Sequence, residues 1–225
     1  MINKVLVKEA WDEWSDRHFI MSEWRDMMTK SDIGNESIDD GVEMNMIEQL
    51  IMKGICVSNL AYLISEELGC DKVFCDKMAM AGIVHDIGKL KIYSYIYGDN
   101  DDNVLTVKKL RYIRMHSNLG YDILSDEGFD KDILEAVLYH HENYDGSGYP
   151  ENLVGENIPF GARILRVCDV FAALISDRVY RKAYDTNTAI ELMIDEVKNF
   201  DMQIFLTFMK VIHDVDIIKL TGKDE

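Results

Sequence analysis

His85-Asp86-Ile87-Gly88-Lys89 closes an apolar segment that runs back through Val84. An imidazole and a carboxylate, both able to bind a divalent ion, stand side by side, and an ammonium follows within one helical turn. On a regular helix neighbours diverge by about 100°. His85 and Asp86 therefore reach one ion only near a helix end, or if the carboxylate bridges to a second ion. Lys89 shares the face of His85, and a lysine there suits a phosphate oxygen better than it suits a core.

The segment that delivers this pair, residues 71–87, carries Val73, Phe74, Met78, Met80, Ala81 and Val84 and reads as a central helix. Before it, 43–68 is amphipathic, with Ile47, Leu50, Ile51, Gly54 and Ile55 at helical spacing. Gly69 ends it as a residue beyond the C-cap. Projected at 100° per residue, Met46, Lys53, Val57, Leu60 and Ile64 fall within about 60° of one another. Lys53 thus points where apolar groups point, and must snorkel or meet a partner.

Beyond the pair come an aromatic segment at 93–97 and an acidic loop at 99–103. Helices are expected over 107–124, N-capped by Thr106, and over 130–141, ending in His140-His141. A long loop fills 142–158. Further helices are expected at 160–176, 187–199 and 202–213, the last capped by Asp201, before a polar tail. Residues 5–30 read as one or two helices anchored by Trp11, Trp14, Phe19 and Trp24, with a polar loop at 31–42. No alternating run is long enough for a sheet. The expected fold is all-α: a helical bundle over 43–225 with a short N-terminal helical extension, 1–42, as a candidate for dimerisation.

Composition narrows the function. With 48% apolar residues the 225-residue chain has ample material for a core. Its two prolines, Pro150 and Pro159, fall in one stretch, so long helices run without a breaker elsewhere. A net charge of −17 argues against binding duplex nucleic acid or an anionic membrane. Residues 104–116 and 163–182 are nonetheless basic, a patch suited to a small anionic substrate or to solvated helix faces. The cysteines at 56, 70, 75 and 168 lack C-x-x-C spacing, and three lie among apolar residues. With no signal peptide or membrane span in sight, a cytoplasmic setting is expected.

His140-His141 repeats the pairing of ligand-type residues at a helix end, and imidazoles suit divalent Zn, Fe, Ni or Mn. His116 adds an imidazole. Asp169 adds a carboxylate inside an apolar helix, where it is costly unless paired or metal-bound. Singly, each is as well explained by a hydrogen bond. Together they point to a metal centre. The loop Tyr144-Asp145-Gly146-Ser147-Gly148-Tyr149-Pro150 follows the His-His pair and is a candidate lip of the site.

HDIGK at 85–89, HHENYDGSGYP at 140–150, IPFGARILRVCDVFAAL at 158–174 and SDRVYRKAY at 176–184 resemble the HD-GYP branch of the HD phosphohydrolase superfamily, over about residues 44–210. The resemblance implies a di- or trinuclear metal centre and hydrolysis of cyclic di-GMP, or a related cyclic dinucleotide, to a linear dinucleotide or GMP. By position it implies His85, Asp86, His116, His140, His141 and Asp169 as metal ligands. It implies Lys89, Arg178 and Arg181 as cations on substrate phosphates, and Tyr149 within the signature loop, which is linked in the family to cyclase partners. Asp86 and Lys89 are then the catalytic residues, and one or two divalent ions, Fe, Mn or similar, the cofactor.

The chain departs from the family pattern at Lys53, where a histidine is expected, and at Gln49, where an acid is expected. Ala172, Ile175 and Val179 depart likewise. One metal position has thereby lost ligands and gained a cation. Lys53 is either repelled by a neighbouring ion and neutral, or it substitutes for a cation, pairing with Asp86 or Asp169 and leaving a smaller centre at Asp86, His116, His140 and His141. The expected mechanism is in-line attack by metal-activated water, with the cations orienting the phosphate. The alternative is a module that binds a cyclic dinucleotide or a cyclase partner without turnover.

Overall fold

A computed structural model describes residues 40–92, 107–177, 181–215 and 220, without the side chains of 40–48 and 107–110. Eight α-helices have both bounds in the described residues: α1 (Asp40–Glu67), α2 (Lys72–Val84), α3 (Val107–Arg114), α4 (His116–Asp126), α5 (Lys131–Tyr139), α6 (Phe160–Leu174), α7 (Thr186–Asp195) and α8 (Met202–Asp214), and residues 89–92 are helical as well. Short 3₁₀ turns at Gly155–Asn157 and Val197–Asn199 complete them. The all-α expectation holds. The N-terminal segment with its tryptophans, the aromatic and acidic stretch at 93–103, Thr106, Arg178 and Val179 lie outside the described residues.

The apolar stripe of α1 is the floor of the core: Val57, Leu60, Ala61 and Ile64 are fully buried. It packs on α2, α6 and α8, while α2 also meets α5 and α6. The α1–α2 contact is unusually close because glycines meet backbone. A Cβ on Gly82 would lie 2.7 Å from Ser58 Cα, and one on Gly54 would lie 2.8 Å from Ile83 O. This brings Lys53, next to Gly54, beside the end of α2. Gly69, at φ +78°, closes α1 as its sequence position suggests.

Four helices begin with an aspartate whose side chain accepts from the first-turn backbone: Asp71, Asp130, Asp185 and Asp201. Helix ends are where the sequence reading needs correction. The helix expected over 107–124 breaks at Met115, whose N–H bonds Tyr112 O, three residues back. The helix expected to reach 87 ends at Val84. A turn with successive three-residue bonds, Ile87 N to Val84 O and Lys89 N to Asp86 O, carries the motif instead. The helix expected to reach 141 ends at Tyr139. Each break falls at a histidine or directly before one.

Candidate metal centre

His85 is the C-cap of α2, His116 the first residue of α4, and His140 the C-cap of α5. A helix end leaves carbonyls without intrahelical partners, and each histidine uses one. His85 Nδ1 lies 2.6 Å from Gly82 O, His116 Nδ1 2.5 Å from Ile113 O, and His140 Nδ1 2.6 Å from Val137 O. In each case the acceptor is three residues back. A carbonyl only accepts, so Nδ1 must carry the proton. In a neutral ring Nε2 then holds a lone pair.

Those lone pairs face one another. His116 Nε2 lies 3.3 Å from His140 Nε2 and 3.1 Å from His141 Nε2. Asp86 Oδ1 lies 3.3 Å from His116 Nε2. His85, His116, His140, Asp86 and Asp169 are all buried, and His141 is partly so. Burial holds His116 at a pKa of about 4, against the attraction of Asp86. Burial and neighbouring imidazoles push His140 and His141 well below the usual histidine range. Neutral imidazoles with converging lone pairs and no proton between them repel unless a cation joins them.

The donors form two groups that share Asp86. Asp86, His116, His140 and His141 are one; His85, Asp86 and Asp169 are the other. In each, the ligand atoms lie within 4.8 Å of one another. His85 Nε2 and Asp86 Oδ1 have no hydrogen-bond partner although both are buried. The residues therefore fit a divalent ion at the first group: His116 and His140 oriented by carbonyls, His141 beside them, and one Asp86 oxygen without another bond.

The second group is differently placed. Lys53 Nζ is 2.7 Å from Asp86 Oδ2 and 2.6 Å from Asp169 Oδ1. Burial works to lower the Lys53 pKa, but Asp169 and Asp86 outweigh it and the ammonium is held charged. Of the two states open to Lys53 from sequence, the structure has the paired one. Burial opposes ionisation of both carboxylates, yet both sit well below their usual range: Asp86 through His85, Lys53 and Lys89, Asp169 chiefly through Lys53. Burial also lowers His85, but Asp86 raises it further. Lys89 Nζ donates to the same Asp86 Oδ2 at 2.6 Å and keeps about a quarter of its side chain exposed.

The Tyr149 ring stacks on His141, with centroids 4.8 Å apart, and the Arg114 guanidinium lies over the same ring, 5.2 Å from its centroid. The loop reaches this position through backbone contact. Tyr149 N donates to His141 O, and a Cβ on Gly148 would lie 2.2 Å from Asn143 N. Buried Glu142 accepts from Glu151 N at 2.7 Å and Leu153 N at 3.1 Å, which ties the loop down. Sequence reasoning missed Glu142, for which an acid directly after His140-His141 and ahead of a turn was the available signal; Arg114 was read only as part of the basic run 104–116.

Two expectations change. Arg181 is not brought to the cluster: its guanidinium donates to Leu174 O, Ala173 O and Lys182 O and lies 4.2 Å from the Tyr184 centroid. It closes the C-terminal end of α6. Within 163–182, Arg163 pairs with Asp201 and Arg166 donates to Asn143, so these two cations are already engaged. Cys56, Cys75 and Cys168 are buried free thiols, and Cys70 is partly exposed. No helix among the described residues is long and apolar enough to cross a membrane.

This geometry agrees with comparison to known proteins. The HD domain family profile matches residues 25–204, starting inside the segment expected to be a separate extension. The cyclic di-GMP phosphodiesterase response regulator RpfG of Xanthomonas campestris pv. campestris is 38% identical over 138 residues, 60% of this chain and 35% of its own. The 3′3′-cGAMP-specific phosphodiesterase 1 of Vibrio cholerae is 32% identical over 151 residues, 66% of this chain and 35% of its own. The chain thus spans about a third of the length of these relatives. Among solved structures, Bd1817, an HDG"Y"P protein from Bdellovibrio bacteriovorus, superposes with a TM-score of 0.60 at 20% identity. That match covers 73% of this chain and 52% of the other, and shows a shared fold. With its profile match spanning most of the sequence and its paired histidine–aspartate cluster at the helix ends, the chain belongs to the HD domain family.

Proposed function

We propose that this chain is a metal-dependent phosphodiesterase that hydrolyses a cyclic dinucleotide of the cyclic di-GMP or cGAMP type to a linear product. The observation that carries the reading is the convergence of His116, His140 and His141 Nε2 with Asp86 Oδ1, the first two imidazoles held by carbonyls with Nε2 unprotonated. These four residues would hold a divalent ion, Fe, Mn or similar. Such an ion supplies Lewis acidity, which makes water acidic and offsets charge on a phosphodiester. The names of the similar phosphodiesterases support the substrate class.

The chain's own residues have separable tasks. The carbonyls of Ile113 and Val137 hold protons on His116 and His140 Nδ1 and so keep Nε2 aimed inward. Lys53 and Lys89 keep Asp86 ionised. Lys89, partly exposed beside Asp86, is the ammonium that would meet a phosphate oxygen. Tyr149, stacked on His141, offers an aromatic wall for a base, with the exposed Arg114 beside it. Four free cysteines suit a reducing compartment, so a cytoplasmic setting belongs to the proposal. The division into an extension, 1–42, and a catalytic domain, 43–225, belongs to it as well.

One observation favours a second reading, binding without turnover: Lys53 holds oxygens of the second donor group. Incubating Mn²⁺-loaded protein with cyclic di-GMP and with 3′3′-cGAMP, and separating the products chromatographically, decides between them. The proposal expects a linear dinucleotide or mononucleotide that chelation suppresses and His116→Ala abolishes. Saturable binding of either nucleotide with no product, from a metal-loaded protein, selects the binding module.

A further inference from the structure

We infer that the Lys53 ammonium is a resident cation in place of a second metal ion, so that the chain binds one divalent ion rather than two; this rests on the reading of the cluster as a metal centre. The two donor groups share Asp86, and its two oxygens are divided between them. Oδ1 faces His116 and has no hydrogen-bond partner. Oδ2 receives Lys53 at 2.7 Å and Lys89 at 2.6 Å. The first group therefore keeps an oxygen available for an ion.

The second group does not. A transition-metal ion there would need Asp86 Oδ2 and Asp169 Oδ1 at about 2.0–2.2 Å. Lys53 Nζ lies 2.7 and 2.6 Å from those same two atoms. His85 Nε2 faces them too, at 3.2 and 3.3 Å, and has no hydrogen bond. An ammonium and a divalent ion cannot share the same pair of oxygens, by space or by charge. Asp86 Oδ2 and Asp169 Oδ1 thus both hold Lys53, and Asp86 Oδ2 holds Lys89 as well, whereas Asp86 Oδ1 holds neither.

Lys53 has little freedom to leave. Its neighbour Gly54 sits against the backbone of Ile83, so α1 is held close to α2 at this level. Only 15% of the Lys53 side chain is exposed. The one-residue difference between lysine and a ligating side chain thus sets the metal count of the site.

The test is a count. Purified wild type and Lys53→His are loaded with excess Mn²⁺, desalted and assayed for metal per chain, with the electron paramagnetic resonance spectrum recorded alongside. The expected result is one Mn²⁺ per wild-type chain, with the six-line spectrum of an isolated ion, and two per chain in Lys53→His, with spin-coupled broadening. Two ions in the wild type, or one in a folded Lys53→His, overturns the inference and leaves the metal-centre reading intact. No ion in either protein overturns both. If Lys53→His does not fold, anomalous scattering from Mn²⁺-soaked wild-type crystals decides. A single peak among His116, His140 and His141 supports the inference, and a second peak beside His85 and Asp169 overturns it.

Discussion

Lys53 Nζ and Asp86 Oδ2 are 2.7 Å apart in the core of the bundle, although 33 positions separate them in sequence. The pair, with Asp169 as its third member, keeps two buried carboxylates ionised without metal. Removing one partner of a buried ion pair is strongly destabilising because it leaves charge uncompensated. Lys53→Met is therefore expected to lower the stability of the metal-free protein by about 3 kcal/mol. Urea unfolding in the presence of a chelator measures this, and added Mn²⁺ should restore part of the loss.

The neutral imidazoles give the metal-free protein a distinct acid response. His116 has a folded-state pKa of about 4, and His140 and His141 are also depressed, whereas unfolded histidines titrate near 6.5. Between those values the unfolded chain binds more protons, so stability falls as pH falls. Each such histidine costs about 1.4 kcal/mol per pH unit below 6.5. His85 is raised and acts in the opposite sense: its contribution is present below 6.5 and is lost as pH rises through its folded value. Three against one, stability should drop between pH 7.5 and 5.5 in urea titrations of chelated protein. A flat or rising profile would mean that the cluster is protonated when folded.

Gly148 has no room for a side chain: an added Cβ would lie 2.2 Å from Asn143 N and 2.5 Å from Glu142 Cα. Gly148→Ala must push the loop away and take Tyr149 off His141. The expectation is a stability loss of about 1–3 kcal/mol, as for other overpacked sites, and a fall in cyclic dinucleotide turnover of about tenfold or more, since misplacement by about 1 Å costs far more than that in well-aligned sites. Thermal unfolding and product formation on the same sample check both.

Arg181 closes the end of α6 through three backbone carbonyls. Arg181→Ala should cost about 1–3 kcal/mol through the carbonyls it leaves unsatisfied. The KM for the dinucleotide should stay unchanged. A raised KM at unchanged stability would return Arg181 to the phosphates.

The sequence carried much of this, for reasons visible in particular residues. The stripe of Val57, Leu60 and Ile64 predicted which face of α1 is buried, and the same projection placed Lys53 on it. The motifs at 85–89 and 140–150 fixed which imidazoles belong together. What was not legible was how helices end. Nothing in the periodicity of 107–124 marks a break at Met115; that break arises because Ile113 O is engaged by the His116 side chain. Nor could spacing tell that Arg163 and Arg166 are engaged by Asp201 and Asn143, which come from distant turns, or that Arg181 folds back on carbonyls of the α6 end. Charge runs record where cations are, and only packing records what they already hold.

Calorimetric titration of Mn²⁺ into metal-free protein at pH 7.5 shows whether Asp86, His116, His140 and His141 together hold a divalent ion. Wild type should bind with a saturable heat, and His116→Ala should bind on the order of 100-fold more weakly, since loss of outer-shell support alone costs about 10–100-fold. Equal affinity in the two proteins, or no binding by a folded wild type, would contradict the account.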